Sequence, residues 1–208
     1  SDTPQDVASA SIYYLKACDI GFGRGCTNMG HVLEQLPPGE QTAAQLYQRG
    51  CDRGDPKGCS NLGVLYLRGK HGVEKDEAEA LGKFQLACER GSGAGCSNVG
   101  LVYEDGRGVK EDFDKAKLFY QKACDLDEVQ GCHNLALMYE AGKGSEASAG
   151  EAADQSLLAC EKGNPYSCAY LGAKWAKTDD KKDFGRQLLE RACKAGDEFG
   201  CKELKKLR

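Results

Sequence analysis

Twelve cysteines are the residues of this chain with the clearest capacity for chemistry. They fall into six pairs, and seven residues separate the two members of every pair. The pairs are Cys18 and Cys26, Cys51 and Cys59, Cys88 and Cys96, Cys124 and Cys132, Cys160 and Cys168, and Cys193 and Cys201. Thiols at regular spacing can form disulfides, bind a metal or carry out redox reactions. The even number and fixed spacing favour six disulfides, one within each pair.

The other thiol chemistries fit the spacing less well. Structural zinc sites usually bring cysteines together across about two to four residues, and only His31, His71 and His133 could add nitrogen ligands. The Cys-x-x-Cys spacing of redox enzymes does not occur in the sequence. Free buried thiols and a metal site stay open as minor alternatives, but we expect neither a metal nor a cofactor.

The cysteines also bear on the compartment in which the protein works. Structural disulfides persist in oxidising surroundings, so we expect a periplasmic or secreted protein. A comparable oxidising lumen is the alternative. The chain begins at Ser1, which we interpret as a mature or trimmed form that has lost an export signal.

Charge and hydropathy argue against two classes of partner. The net charge of -4 and isoelectric point of about 5.5 provide no basic surface to attract nucleic acid. No run of about 18 apolar residues is present, so we expect no membrane insertion.

The cysteine pairs recur with the period of a helical repeat. The first cysteines of successive pairs lie 33 to 37 residues apart, as expected for a helix-turn-helix unit. An apolar stripe at helical spacing begins at the second cysteine, as in Cys96, Val99 and Tyr103, and predicts one helix, here named A. A second periodic run, from Ala116 to Cys124, predicts a helix B that ends at the first cysteine of the next pair. The predicted fold is all-α, a solenoid of six αα-hairpins.

The helical pattern continues through the chain without a linker, which predicts one domain, 1–208. It opens in a B helix at about 8–20 and closes in a short A helix at about 197–207. The predicted repeats, each a B helix followed by an A helix, are 8–36, 42–69, 77–105, 113–141, 150–177 and 183–208.

The repeated motif resembles the Sel-one-like repeat, a relative of the tetratricopeptide repeat. It runs A/C-x-x-x-L-G-x-x-Y, then G-x-G-V-x-x-D, then K-A-x-x-x-Y-x-K-A-C-x-x-G, and the resemblance covers essentially the whole chain. With cysteines at both helix ends, the chain is similar to the cysteine-rich subgroup of Helicobacter proteins. It is similar as well to a cysteine-rich assembly factor of the mitochondrial intermembrane space, which implies that space as the alternative compartment. The resemblance implies a right-handed solenoid whose concave groove is lined mainly by A helices and contacts proteins.

An asparagine recurs two residues after the A-helix cysteine in the first four repeats, and Tyr170 replaces it in the fifth. By the resemblance this offset faces the groove, where amides could bond the backbone of a bound peptide. The alternative is a structural bond to a neighbouring repeat or helix end, and both interpretations stay open. The predicted groove contains Asn28, Asn61, Asn98, Asn134, Tyr170, His31, His133, Glu104 and Glu140. We expect His31 and His133 to be solvated.

These patterns predict an exported, monomeric scaffold that binds a protein or an extended peptide. Chaperone, assembly, virulence and toxin-neutralising roles would all fit. The resemblance adds one alternative, a penicillin-binding protein with weak β-lactamase activity. Such an enzyme needs an activated serine, typically in Ser-x-x-Lys, and no serine here is followed by lysine at that spacing. We therefore expect no catalytic residue.

Overall fold

The structure, a computed structural model, describes residues 4–36, 42–144 and 148–207. Within these ranges there are twelve α-helices and no β-strand. The helices are α1 (Pro4–Asp19), α2 (Gly23–Glu34), α3 (Ala43–Asp52), α4 (Pro56–Arg68), α5 (Glu77–Glu89), α6 (Gly93–Asp105), α7 (Phe113–Asp125), α8 (Val129–Ala141), α9 (Ala149–Glu161), α10 (Pro165–Trp175), α11 (Lys182–Lys194) and α12 (Glu198–Lys205). Odd-numbered helices are the predicted B helices and even-numbered helices are the A helices.

The chain divides into two compact units, Ser1–Asp112 and Phe113–Arg208. In the first unit each helix packs on the next, and α4 also contacts both α2 and α6. In the second unit each helix again packs on the next, and α10 also contacts α12. Such neighbour-to-neighbour packing is typical of a solenoid, and it confirms the all-α repeat fold. The single-domain boundary of 1–208 stays a prediction.

Six disulfides join the predicted cysteine pairs. Each bridge links the end of a B helix to the start of the next A helix, with Cα atoms 4.5 to 4.7 Å apart. This separation lies within the range that disulfide geometry requires. The first five bridges are buried, whereas Cys193 and Cys201 are partly exposed. The pairing is the one that the spacing predicts.

The turn between a B helix and the next A helix needs a left-handed residue. Gly54 and Gly91 supply it with φ of +84°, as the sequence predicts. In the fourth repeat Asp127 occupies the same position with φ of +60°. Its carboxylate bonds Lys162 Nζ of the following repeat.

Glycine four residues after the A-helix cysteine admits an aromatic ring from the next B helix. A Cβ atom at Gly30 would lie 2.7 Å from the ring of Tyr47. At Gly63 the distance to the ring of Phe84 would be 2.6 Å. Both aromatic residues are fully buried. The prediction that a small residue here allows close helix approach is therefore confirmed.

Basic side chains of one repeat form hydrogen bonds at the disulfide of the preceding repeat. Arg90 Nη1 donates to the carbonyl oxygen of Cys51 at 2.6 Å and lies 3.3 Å from Cys59 Sγ. Arg53 makes the equivalent bond to the carbonyl of Cys18. The carbonyls at a helix C-terminus lack partners within the helix, so these cations cap B-helix ends across the repeat boundary.

Among the described residues, no helix is both long enough and apolar enough to cross a membrane.

Candidate functional site

The predicted asparagines lie on A helices and are partly exposed. Asn28, Asn61 and Asn98 belong to α2, α4 and α6 of the first unit, and Asn134 belongs to α8 of the second. In all four helices the residues immediately before and after the asparagine are buried. The amides therefore lie at the margin between the helix core and the surface, where they can bond both protein and solvent.

Three of these asparagines bond within the protein. Asn98 Nδ2 donates to Ser60 Oγ of the preceding A helix at 3.4 Å. Asn61 bonds the hydroxyl of Tyr47 on the preceding B helix. Asn134 Oδ1 accepts from Gln130 Nε2 of its own helix at 2.9 Å. The structural interpretation thus has direct support at Asn61 and Asn98, although one bond leaves part of each amide for a ligand.

Glu34 joins this polar network, and the sequence analysis did not single it out. Tyr47 donates its phenolic hydrogen to Glu34 Oε2 at 2.6 Å. Burial, together with the hydrogen bond to Glu34, raises the pKa of Tyr47 far above its usual value. Glu34 lies eight residues after the A-helix cysteine, as do the predicted Glu104 and Glu140. That shared offset is the signal that could have identified it.

The two predicted groove histidines differ. The side chain of His31 is 69% exposed and lies 3.7 Å from Glu34, so the expectation of a solvated residue is confirmed. For His133 that expectation is wrong, because the residue is only 6% exposed. His133 packs edge-on against the ring of Tyr166, and its Nδ1 lies 2.9 Å from Ser167 Oγ. Burial lowers the pKa of His133.

His133 is buried because its offset faces the next repeat. It directly follows the A-helix cysteine, as Thr27 and Ser60 do, and all three are buried. The contact is seen at Gly58, where a Cβ atom would lie 2.8 Å from Thr27 Oγ1 of the preceding A helix. This offset therefore belongs to the packing between repeats and not to an open surface.

In the second unit the structure brings Tyr170 and Glu140 together. The Tyr170 hydroxyl donates to Glu140 Oε2, and Lys174 Nζ lies 2.6 Å from Glu140 Oε1. Tyr170 and Glu140 are partly exposed. Glu104 is partly exposed on α6 of the first unit. Each unit thus presents amides and carboxylates for hydrogen bonding, and the second unit adds the ring of Tyr170.

Across 4–36, 42–144 and 148–207, no three His, Cys, Asp or Glu side chains are arranged to hold a metal ion. All the cysteines are committed to disulfides.

The repeats match a known sequence family along most of their length. The Sel1 repeat matches residues 1–22, 24–55, 56–92, 93–128, 129–164 and 166–197. The chain belongs to the Sel1 repeat family. This Sel1 repeat protein is also similar to Helicobacter pylori cysteine rich protein B, with 32% identity and a TM-score of 0.51. That similarity covers 62% of this chain and 91% of the Helicobacter protein.

Two further structures share the fold at lower identity. The protective antigen c5321 of uropathogenic Escherichia coli has a TM-score of 0.78 at 22% identity over 97% of this chain. This chain spans 44% of the length of that antigen. The immunity protein Pa5087 of Pseudomonas aeruginosa has a TM-score of 0.59 at 20% identity, covering 86% of this chain and 67% of its own. No curated protein matches the sequence significantly.

Sel1 repeat proteins are protein-interaction scaffolds, and the family is generally non-enzymatic. The six disulfides indicate that this member works in an oxidising compartment outside the cytoplasm.

Proposed function

We propose that this Sel1 repeat protein is an exported scaffold that binds an extended polypeptide on the A-helix surface of its first unit. The A-helix surface is defined here as Asn28, His31, Asn61, Val64, Asn98 and Leu101. The supporting observation is that the three asparagines are partly exposed at equivalent positions on α2, α4 and α6. A surface with the same polar group on successive helices suits the repeating backbone of an extended chain.

The amides keep capacity for a ligand despite their internal bonds. The bond to Ser60 uses one N–H of Asn98, so its second N–H and its Oδ1 can bond a partner. Val64 and Leu101 lie three residues further along their helices and are partly exposed. They supply apolar contacts beside the amides. Binding would therefore combine backbone hydrogen bonds with shallow side-chain contacts.

The finer features of the role are also proposals. We propose a monomer located in the periplasm or outside the cell, with the mitochondrial intermembrane space as the alternative compartment. Chaperone, assembly, virulence and toxin-neutralising roles would all fit such a surface, and the identity of the captured partner distinguishes among them.

No structural observation favours the β-lactamase alternative. Ser60 and Ser97 are buried, at 6% and 7% exposure. Ser167 does contact a histidine, but it is 0% exposed and so cannot meet a substrate without opening of the fold. Hydrolysis of nitrocefin by the purified protein is the direct measurement, and turnover above a heat-inactivated sample would revive this alternative.

The test of the proposal replaces two amides and keeps the helices. The partner is captured from the native compartment with wild-type protein. We expect the double variant N61A and N98A to capture less of this partner than the wild-type protein does. Loss of one hydrogen bond costs about 1 kcal/mol, so the pair should weaken binding on the order of tenfold or more.

A matched control removes two amides from B helices. Gln48 and Gln121 are also partly exposed, and each bonds an aspartate four residues later. The double variant Q48A and Q121A should capture the partner as wild type does. Full capture by the N61A and N98A protein, with an unchanged melting temperature, would refute the A-helix surface as the binding site.

A further inference from the structure

A cavity of about 460 Å³ lies between α9 and α10 in the fifth repeat. Its volume falls within the usual range for ligand sites in proteins. The cavity lies entirely within the second unit, apart from the A-helix surface defined above. Its walls include Ala152, Ala153, Ser156, Tyr170, Leu171 and Trp175. The charged residues that line it are Asp154, Lys174 and Lys181.

The cavity exists partly because a buried ring is missing. Four residues before the B-helix cysteine, the second, third and fourth repeats carry Tyr47, Phe84 and Tyr120, all 0% exposed. The fifth repeat has Ser156 at this position, and it is 2% exposed. A serine side chain fills far less volume than a ring, so the space that is core elsewhere is open here.

A second core residue is also missing from the same space. Six residues after the A-helix cysteine, Leu65, Val102 and Met138 are at most 1% exposed. The fifth repeat has Lys174 there, whose side chain is 47% exposed and whose ammonium pairs with Glu140. The charged head leaves the core for solvent, because burial of a charge is costly. Two substitutions in one repeat thus open the interface between its helices.

Tyr170 replaces the hydroxyl of the missing tyrosine but not its ring. In the second repeat, Tyr47 bonds Glu34, which lies eight residues after its A-helix cysteine. In the fifth repeat, Tyr170 bonds the equivalent Glu140 from the opposite helix. Its ring is partly exposed on the cavity wall. The Glu140 carboxylate therefore already accepts a hydrogen bond, so a ligand in the cavity needs an apolar ring more than a hydroxyl group.

We propose that this cavity binds an aromatic side chain of a polypeptide partner, in place of the ring that other repeats supply themselves. Leu171 and the two alanines form an apolar wall, and the rings of Tyr170 and Trp175, the latter packed on Phe184, border the same space. Lys181 Nζ lies 4.7 Å from the centroid of the Trp175 ring. This ammonium group can pair with a carboxylate next to the guest residue. The identity of the guest as a polypeptide rests on the proposed function.

Trp175 makes occupancy measurable, because it is the single tryptophan of the chain. The probe is N-acetyl-phenylalaninamide, titrated into the full, oxidised protein while tryptophan fluorescence is followed. We expect a saturable change with a dissociation constant on the order of 1 mM, as suits a ligand of about this size. N-acetyl-alaninamide should produce no saturable change at the same concentrations. Equal responses to both amides, or none to the aromatic one, would overturn the proposal.

Filling the cavity tests the location. The variant A136G with S156Y restores the glycine and tyrosine that face each other in the first and second repeats, at Gly30 and Tyr47. A second variant, A153L, introduces the side chain that the third repeat carries at the equivalent Leu81. Each variant should raise the dissociation constant of N-acetyl-phenylalaninamide by about tenfold or more. The two variants are independent, so one that folds is sufficient for the test. The control L118Y adds a ring at an exposed position of α7 and should respond as wild type does.

The outcomes separate this inference from the proposed function. The amide titration uses no partner, so it can fail while capture still depends on Asn61 and Asn98. An unchanged response in a folded A153L protein would refute the cavity as the site. If N-acetyl-phenylalaninamide binds and the N61A and N98A protein still captures the partner, the cavity proposal is supported and the A-helix surface is refuted.

Discussion

Ser167 Oγ lies 2.9 Å from Nδ1 of His133, and both residues are buried. Ser167 precedes its A-helix cysteine, where Gly58, Gly95 and Gly131 stand in other repeats. A Cβ atom at Gly131 would lie 2.5 Å from Ala123, so that glycine has no room for a side chain. The fifth repeat accommodates serine here, and the hydroxyl meets the histidine of the preceding repeat.

The burial of His133 predicts a dependence of stability on pH. Burial lowers the pKa of His133 in the folded protein below the value of about 6.5 in the unfolded chain. Between the two values the unfolded chain binds more protons, so the free energy of unfolding should fall as pH drops below about 6.5. Urea unfolding of wild type and H133Q at about pH 7.5 and pH 5.5 measures the difference. H31Q is the control, and an equal pH dependence in wild type and H133Q would contradict the prediction.

The disulfides should contribute stability one repeat at a time. Replacing Cys51 and Cys59 by alanine removes one short closed loop, which the chain-entropy model values at about 2 to 3 kcal/mol. We expect the free energy of unfolding in urea to fall by about that amount and helical circular dichroism to persist. The same pair of changes at Cys193 and Cys201, which are partly exposed at the last repeat, should cost less. Equal losses at both places would argue against a difference set by burial.

Arg90 should stabilise the contact between two repeats. R90A removes the bond to the Cys51 carbonyl and should lower the free energy of unfolding by about 1 kcal/mol. R90K keeps the charge and should recover part of the loss. R107A is the control, since Arg107 forms an ion pair with exposed Asp105 two residues away, and a surface pair of this kind contributes less than about 1 kcal/mol. If R90A and R107A cost the same, the bond across the repeats adds nothing.

The protein should lose stability when only the hydroxyl group of Tyr47 is removed. Y47F keeps the buried ring but leaves Glu34 and Asn61 without their shared partner, at a cost of about 1 to 2 kcal/mol. Thermal unfolding followed by circular dichroism measures the change. Y13F removes a hydroxyl from a tyrosine that is 70% exposed and should be neutral. A neutral Y47F would show that water replaces these bonds without loss.

Local pattern was sufficient to predict the helices and bridges. The sequence predicts the final A helix at about 197–207, and this helix spans Glu198–Lys205. It predicts the first B helix at about 8–20, and that helix spans Pro4–Asp19. The B-to-A turn glycines also have the predicted backbone. These features depend on residues close together in the chain, because helical periodicity, caps and short disulfide loops are local.

The candidate site was predicted less completely. Offset from the cysteine identified the partly exposed asparagines, but it also assigned the buried His133 to the groove. Which offset faces the next repeat depends on how two helices approach, and a single helix does not contain that information.

The sequence by itself determined the repeat, the cysteine pairing and the helix order. Only the tertiary structure decided that Tyr47 bonds Glu34, that His133 meets Ser167, and that Ser156 and Lys174 open one shared cavity. The physical reason is that these contacts join different helices, so their consequences depend on the packed volume and the local polarity between them.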